Sequence, residues 1–315
     1  MIDPKSLLWV ENWRPKDIAS CVLPPRLETT FNDIVESGQV PNMILTGGAG
    51  CGKTTVARAL CNQLSLDMLF INASEESGID ILRTKIRNFA STVSLNGGLK
   101  VVILDEADYL NPSSTQPALR GFIEEFSANC RFILTCNFKN RIIEPLHSRC
   151  TLIDFRITPK ERPQVAAKFH NRVRDILKAE GIEYSDKVVA ELVLRNFPDF
   201  RKTINELQRY SVGGKIDAGI LTATGDATIN ELIKALKSKK FPDIRKWVVD
   251  NSDKDMTHLF RSIYDGLYES LTPDSVPQAV LILADYQYKS AFVADQELNL
   301  TACCIALAAD CTFKT

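Results

Sequence analysis

The stretch GGAGCGKTT, residues 47–55, sets glycines, a lysine and two hydroxyls at a spacing suited to holding phosphate. Gly47, four intervening residues and then Gly52-Lys53-Thr54 match the phosphate-loop pattern. They lie between an apolar run and a helical stretch, the context that supports the match. Glycines let successive backbone N–H groups face a phosphate, and the helix that follows adds the positive end of its dipole. Gly47, Gly50, Cys51, Gly52, Lys53, Thr54 and Thr55 are therefore the expected nucleotide-binding residues. Lys53 is expected to reach the terminal phosphates and the Thr54 hydroxyl to ligate Mg2+. At Cys51 the backbone N–H matters more than the thiol.

In VVILDEAD (101–108), four apolar residues deliver two adjacent carboxylates to the end of a strand, where ligands bind in open α/β sheets. Asp105 suits holding Mg2+, and Glu106 suits orienting and deprotonating an attacking water. Asp108 reads as a structural charge. RFILTCN (131–137) ends in Thr135 and Asn137. If that strand neighbours the carboxylate strand, Asn137 sits beside the attacking water, although polar strand ends often merely cap. HSRC (147–150) offers Arg149, whose planar guanidinium suits transition-state phosphate charge; alone, it reads as an ordinary surface arginine.

These groups need a scaffold, and the pattern supplies one. MILTG (43–47), MLFINA (68–73), KVVILDEAD (100–108), RFILTCN and TLIDF (151–155) read as parallel strands buried on both faces, because their apolar character is nearly continuous. TVARALCNQL, IDILRTKIRNFASTV and TQPALRGFIEEFS alternate with them as helices, which means an α/β layered domain. After Pro159 the strand signal stops. ERPQVAAKFHNRVRDILKAEG is expected to end at a Gly181 cap, SDKVVAELVLRNF to begin at a Ser185 cap, and FPDFRKTINELQRYS to supply a third helix. Gly213-Gly214 and Gly225-Asp226 break the pattern before a final helical stretch in which TACCIALAAD should be buried.

With 315 residues the chain needs two or three domains, set here at 1–156, 157–225 and 226–315. Its net charge of −1 means that any grip on nucleic acid rests on local basic groups or backbone amides. No apolar run approaches the roughly 18 residues of a membrane span, and no secretory leader pattern opens the chain. The nine cysteines lack paired metal-ligand spacing and read as reduced thiols of a cytoplasmic protein.

The ordered series of phosphate loop, DE-ending strand, Asn-ending strand, SRC and PDFR resembles the AAA+ family, and within it the clamp-loader subunits of the replication factor C type. SRC is the most specific item. Trp13-Arg14-Pro15 resembles the family's opening segment, and FINASEE, IRNFAS, ALRGFIEEFSANCRFILTCN and NFPDFRKTINEL extend the likeness over nearly the whole chain. It is fainter in DQELNLTACCIALAAD. The resemblance implies an AAA+ P-loop core with a parallel sheet, an all-α lid and an all-α collar for oligomerisation. It implies ATP and Mg2+ as cofactors, with Lys53 and Thr54 on phosphate and metal and Asp105 and Glu106 as the Walker B pair. It also implies Asn137 as first sensor, Arg149 as a finger acting on a neighbour's ATP, Arg201 of PDFR as second sensor and Val22 bordering the adenine. Asn72 of FINAS matches a position that in relatives can hold the catalytic glutamate inactive.

Family members form five-subunit open spirals. The resemblance therefore implies four copies of this chain with one small clamp-loader subunit, a sliding clamp, primer–template DNA and DNA-triggered hydrolysis in replication. Expected DNA contacts are Arg83, Lys85 and Arg87 in IDILRTKIRNF, and Ser113, Thr115 and Arg120 in SSTQPALR with its amides. A solvated helix face, or contact with the clamp, is the other reading of those basic residues. Gly121 departs from the family's paired arginines, and Cys51 stands where threonine is common. The alternatives are another AAA+ DNA motor, which would lack SRC, and a DEAD-type helicase, which would need a second α/β half after residue 160.

Overall fold

The computed structural model describes residues 8–314 except 77, 93, 95–97, 218, 221–225 and 253–255, and gives only the backbone of 226–228, 257, 258 and 269. Gly225, and with it the expected boundary at 225, lies outside the described residues. The chain divides into two compact units, Met1–Asp217 and Ala218–Thr315.

In the first unit, β1 (Met43–Thr46), β2 (Asp67–Asn72), β3 (Lys100–Asp105), β4 (Cys130–Cys136) and β5 (Thr151–Asp154) form one parallel sheet in the order β2-β3-β4-β1-β5. All five expected strands are present, and β4 does lie beside β3. Alternate residues of the apolar runs serve opposite faces. Val101, Ile103, Met43, Leu45 and Ile133 pack on one side with Phe31 of α2 (Pro25–Ser37) and with Val56, Ala57 and Leu60 of α3 (Lys53–Gln63). Val102, Leu104, Ile44 and Leu134 pack on the other, with Leu82 and Ile86 of α4 (Ile79–Ala90) and Leu119 and Phe122 of α5 (Thr115–Glu125).

Burial on both faces holds for β1, β3 and β4 but not for β2 and β5. Those two are the sheet edges, and Met68 and Leu152 are 38% and 42% exposed. An edge strand has one neighbour fewer to cover it, so the same apolar letters leave side chains in water.

Buried Gln116 (0% exposed) ties three segments behind the sheet. Its amide donates to Leu110 O and Arg141 O, and its carbonyl accepts from Ile143 N.

Three helices follow, α7 (Arg162–Ala179), α8 (Asp186–Asn196) and α9 (Phe200–Ser211); the short α1 (Trp9–Asn12) and α6 (Glu144–His147) precede them. Gly181, at φ +69°, follows α7, Ser185 stands at the N-cap of α8, and Asp199 caps α9 by accepting from Lys202 N at 2.9 Å. The strand signal does not vanish entirely after Pro159, because Glu183–Tyr184 and Lys215–Ile216 pair as a two-stranded parallel ladder.

The N-terminal segment joins these helices to the sheet layer. Trp9 N donates to Gln208 and Trp13 Nε1 to Glu180, while Ile18 N donates to Gln63 of α3.

The second unit is helical: α10 (Asp226–Ser238), α11 (Phe241–Val249), α12 (Met256–Ser270), α13 (Val276–Ser290) and α14 (Gln296–Asp310). Leu232, Val248, Phe260, Leu300 and Leu307 form its centre together with the adjacent Cys303 and Cys304, as expected for the apolar C-terminal helix. All nine cysteines are free and buried. Among the described residues, no helix is long and apolar enough to cross a membrane.

Candidate active site

The phosphate loop leaves the carboxyl end of β1, between sheet and lid helices. Gly47, Gly50 and Gly52 have φ of +156°, +70° and +94°, the region where a side chain is disfavoured and glycine is not. Through that turn Lys53 folds back over the loop. Its ammonium donates to Gly47 O at 2.9 Å, Gly48 O at 2.8 Å and Asn137 Oδ1 at 2.9 Å, using all three protons.

Beside it, the ends of β3 and β4 build a compact oxygen cluster. Asp105 Oδ1 accepts from the hydroxyls of Thr54 and Thr135, each at 2.6 Å. The Thr135 hydroxyl in turn accepts from Glu106 N at 3.1 Å. Glu106 sits in the left-handed region at φ 55°, ψ 42°, a conformation that costs a non-glycine residue about 1–2 kcal/mol. The Thr135 bond thus helps to hold Glu106 at the strand end. Asp108 is 6% exposed and its Oδ2 accepts from the backbone N–H groups of Asn137 and Phe138, each at 3.2 Å. It braces Asn137, which agrees with a structural charge.

One cleft is lined by Gly50, Cys51, Gly52, Lys53, Thr54 and Thr55, by Asp105, Glu106 and Asn137, and by Val22, Trp13, Arg14 and Pro15. From the lid, Phe169, Arg172, Ile176, Phe200, Arg201 and Ile204 complete its wall. The fold therefore gathers the expected loop, carboxylates, Asn137, Val22 and Arg201 in one place. Among the predicted loop residues, Gly47 lies beneath that wall against Phe155.

Apart from Arg201, the residues of the lid wall are not singled out by the sequence, since Phe169, Arg172 and Ile176 share the spacing of an ordinary core stripe. Nor is the seating of the lid on the loop. Phe200 N donates to Gly50 O at 3.1 Å, and a Cβ on Gly50 would lie 1.9 Å from Asp199 Oδ1. Burial pushes the Cys51 thiol up, so it stays protonated.

Arg149 does not line this cleft. It lies two residues before β5, whose first residue pairs with Met43 at the start of β1. The phosphate loop is at the other end of β1, roughly 10 Å of strand away at ~3.3 Å per residue. Asn72 faces Asp105 in the β2–β3 register, but its side chain bonds Glu75 Oε1 and the N–H and hydroxyl of Ser74 rather than Glu106.

The expected DNA contacts divide. Arg83 and Arg87, four apart, share an exposed face of α4 while Leu82, Ile86 and Ala90 are buried. Lys85 turns away from that face to pair with Glu76, and Arg87 lies 3.4 Å from Glu125. Ser113 and Arg120 are exposed. Thr115, however, is 2% exposed, so its hydroxyl is out of reach of a phosphate. The amides before α5 are occupied as well. Asn111 Oδ1 takes the N–H groups of Ser113 and Ser114, and Asn111 O takes those of Thr115 and Gln116. An asparagine a few residues ahead of a helix signals such a cap.

Comparison with known proteins agrees with this fold. Residues 43–157 match the family model for the ATPase family associated with various cellular activities (AAA). Residues 162–222 match that for the sliding-clamp-loader large subunit, AAA+ ATPase lid domain. The chain is 37% identical to the sliding-clamp-loader large subunit of Enterobacteria phage T4, over 99% of each chain. It is 41% identical to that of Escherichia phage RB69, over 84% of this chain and 86% of the relative. To the replication factor C small subunit of Archaeoglobus fulgidus it is 35% identical, over 76% of each. A solved structure of a mutant RuvB from Thermotoga maritima aligns with TM-score 0.53 over 71% of this chain and 79% of that one. At 17% identity it speaks for the fold alone. Fold and site together define a nucleotide-binding AAA+ ATPase. Within that class, the chain belongs to the sliding-clamp-loader large-subunit family.

Proposed function

We propose that this chain is the ATPase subunit of a clamp loader, assembled as four copies with one small subunit. ATP binding holds an opened sliding clamp, and primer–template DNA triggers the hydrolysis that releases it. The observation that carries this reading is the cluster of Thr54, Asp105, Thr135 and Glu106, which faces Lys53 and Asn137 across one cleft with Arg201 on its wall. Phosphate oxygens can replace the carbonyls that Lys53 now contacts, because an ammonium gains more from an anion than from a neutral acceptor. The hydroxyl of Thr54 and the carboxylate of Asp105, already meeting at 2.6 Å, are hard oxygen donors that fit Mg2+. A bound Mg2+ would supply charge neutralisation at the phosphates. Glu106, fixed by the Thr135 bond, accepts a proton from the attacking water, and Asn137 orients that water or the γ-phosphate. Val22 and Trp13-Arg14-Pro15 border the base, and Arg201 reaches the γ-phosphate from the lid.

Arg149 serves a neighbouring subunit, since its place at the far end of the sheet suits no step in its own cleft. Binding energy for clamp and DNA is thereby coupled to one subunit's grip on the next, which is work by differential affinity between two states. Arg83 and Arg87 are the basic pair best placed to follow a phosphate backbone, a contact that positions without reading sequence. The same helix face is also open to the clamp. A DEAD-type helicase fits less well, because the described elements after residue 160 are helices and one two-residue ladder.

The test is Arg149→Ala in the complex co-expressed with the small subunit. ATP binding should stay near wild type while hydrolysis with clamp and primer–template DNA collapses. Normal turnover by that complex would remove the finger, and stimulation by single-stranded RNA alone would favour the helicase.

A further inference from the structure

We propose that Glu124 is a positioning residue that holds the Arg149 guanidinium withdrawn against its own subunit until a neighbour's phosphate displaces it. The inference rests on the reading of Arg149 as a finger acting in trans.

Arg149 Nε and Nη2 both donate to Glu124 Oε1, at 2.8 and 2.6 Å. Its Nη1 donates to Pro145 O at 2.9 Å and to Ser148 Oγ at 3.1 Å. A guanidinium has five N–H bonds, so this conformation leaves a single one, on Nη2, for any outside acceptor. Arginine grips phosphate best with two parallel N–H groups, which the withdrawn conformation cannot present. Engagement therefore requires Arg149 to exchange the carboxylate for the phosphate.

Two features make that exchange easy. The first is solvation: the side chains of Arg149 and Glu124 are 28% and 53% exposed, and ion pairs open to water are individually weak. The second is a replacement partner. Arg120 Nε lies 3.8 Å from the same Glu124 oxygen, one helical turn earlier on α5, so Glu124 keeps a cation when Arg149 leaves. The carboxyl of Glu124 is held below the usual carboxylate range chiefly by its bonds to Arg149, so it is ionised at neutral pH.

Whatever stabilises the withdrawn conformer is subtracted from the engaged one. Glu124 thus suppresses hydrolysis in the assembled complex before clamp and DNA arrive. Once they pull neighbouring subunits together, the phosphate outcompetes it.

The experiment measures steady-state ATPase of the co-expressed complex, with and without clamp plus primer–template DNA, for wild type, Glu124→Gln, Arg149→Ala and the double variant. Glu124→Gln should raise the unstimulated rate about two- to fivefold, the range that loss of one exposed ion pair supports, and leave the stimulated rate unchanged. In the Arg149→Ala background the same change should do nothing, because Glu124 acts only through Arg149. A structural role would not produce that split, and matching unfolding midpoints exclude a folding defect. If Arg149→Ala is suppressed yet Glu124→Gln leaves the unstimulated rate at wild type, the latch is refuted. A Glu124→Gln complex with a lowered stimulated rate also refutes it, since Glu124 would then be aiming the finger instead of withholding it. If Arg149→Ala turns over normally, the finger reading itself falls.

Discussion

Replacing Thr135 with valine removes one hydroxyl that serves two partners and preserves the shape of the side chain. Thr135 is 1% exposed, donates to Asp105 Oδ1 and accepts from Glu106 N. Valine leaves that N–H without its acceptor and deprives a carboxylate of one of its two hydroxyl donors. An unsatisfied buried donor costs ~1–3 kcal/mol, and a hydrogen bond to a charged group contributes ~1.5–3 kcal/mol. Thr54 still serves Asp105, so we expect a combined loss of about 2–4 kcal/mol. For a unit the size of residues 1–217, that lowers the unfolding midpoint by about 5–10 °C in calorimetry. Activity should fall further than stability alone implies. Glu106 occupies a strained backbone conformation, and a displacement of an ångström at a reacting group costs about 100-fold. Stimulated hydrolysis should drop about 10–100-fold, with ATP binding little changed. Thr135→Ser keeps the hydroxyl and should recover most of the rate. If the valine variant melts and hydrolyses like wild type, Thr135 does not hold Glu106 and the argument fails.

Other expectations test other parts of the molecule. Gly50→Ala puts a methyl 1.9 Å from Asp199 Oδ1 at a φ of +70°, so affinity for a fluorescent ATP analogue should fall; an added Asp199→Gly should restore part of it. Stability should also decline in alkali. Burial pushes the thiols of Cys21 and Cys61 up to about 12, and those of Cys130 and Cys150 up to about 11, from an ordinary 9.0. Below pH 9 the thiols are neutral in both states. Above it only the unfolded chain ionises, so stability is lost as pH rises from 9 towards 11–12. Denaturant midpoints recorded from pH 7 to 10.5 should be flat and then fall; a flat profile throughout would contradict the burial of these thiols.

Much of the candidate site is legible because its determinants are local. A glycine loop after an apolar run and two carboxylates at a strand end need no knowledge of distant residues, and both lie where the pattern puts them. The cap residues Gly181 and Ser185 are legible for the same reason. What fails is what depends on neighbours remote in the chain. MLFINA and TLIDF look as apolar as the central strands, and nothing in those letters says that β2 and β5 are edges. Thr115 looks like a free hydroxyl beside a helix start until Asn111 takes the surrounding amides. Thr135 passes for a strand end, and its place between Asp105 and Glu106 emerges only when β3 and β4 pair. Asn72 is positioned by register, yet its bonds go to the adjacent Ser74 and Glu75, a turn preference that the residue type alone leaves open.

The seating of Asp199 and Phe200 on Gly50 bears on how such proteins can be recombined. A graft that joins one relative's P-loop core to another's lid, cut near residue 157 where the helices begin, would break a backbone hydrogen bond's surroundings and a steric match that lie far apart in sequence. Recipient and donor would have to agree on a residue without a side chain at 50 and on the carboxylate that occupies the vacated space. Chimeras respecting that pair, and the bonds from Trp9 and Trp13 to the lid helices, would keep the lid seated, whereas those ignoring it would set a side chain against the lid at the loop.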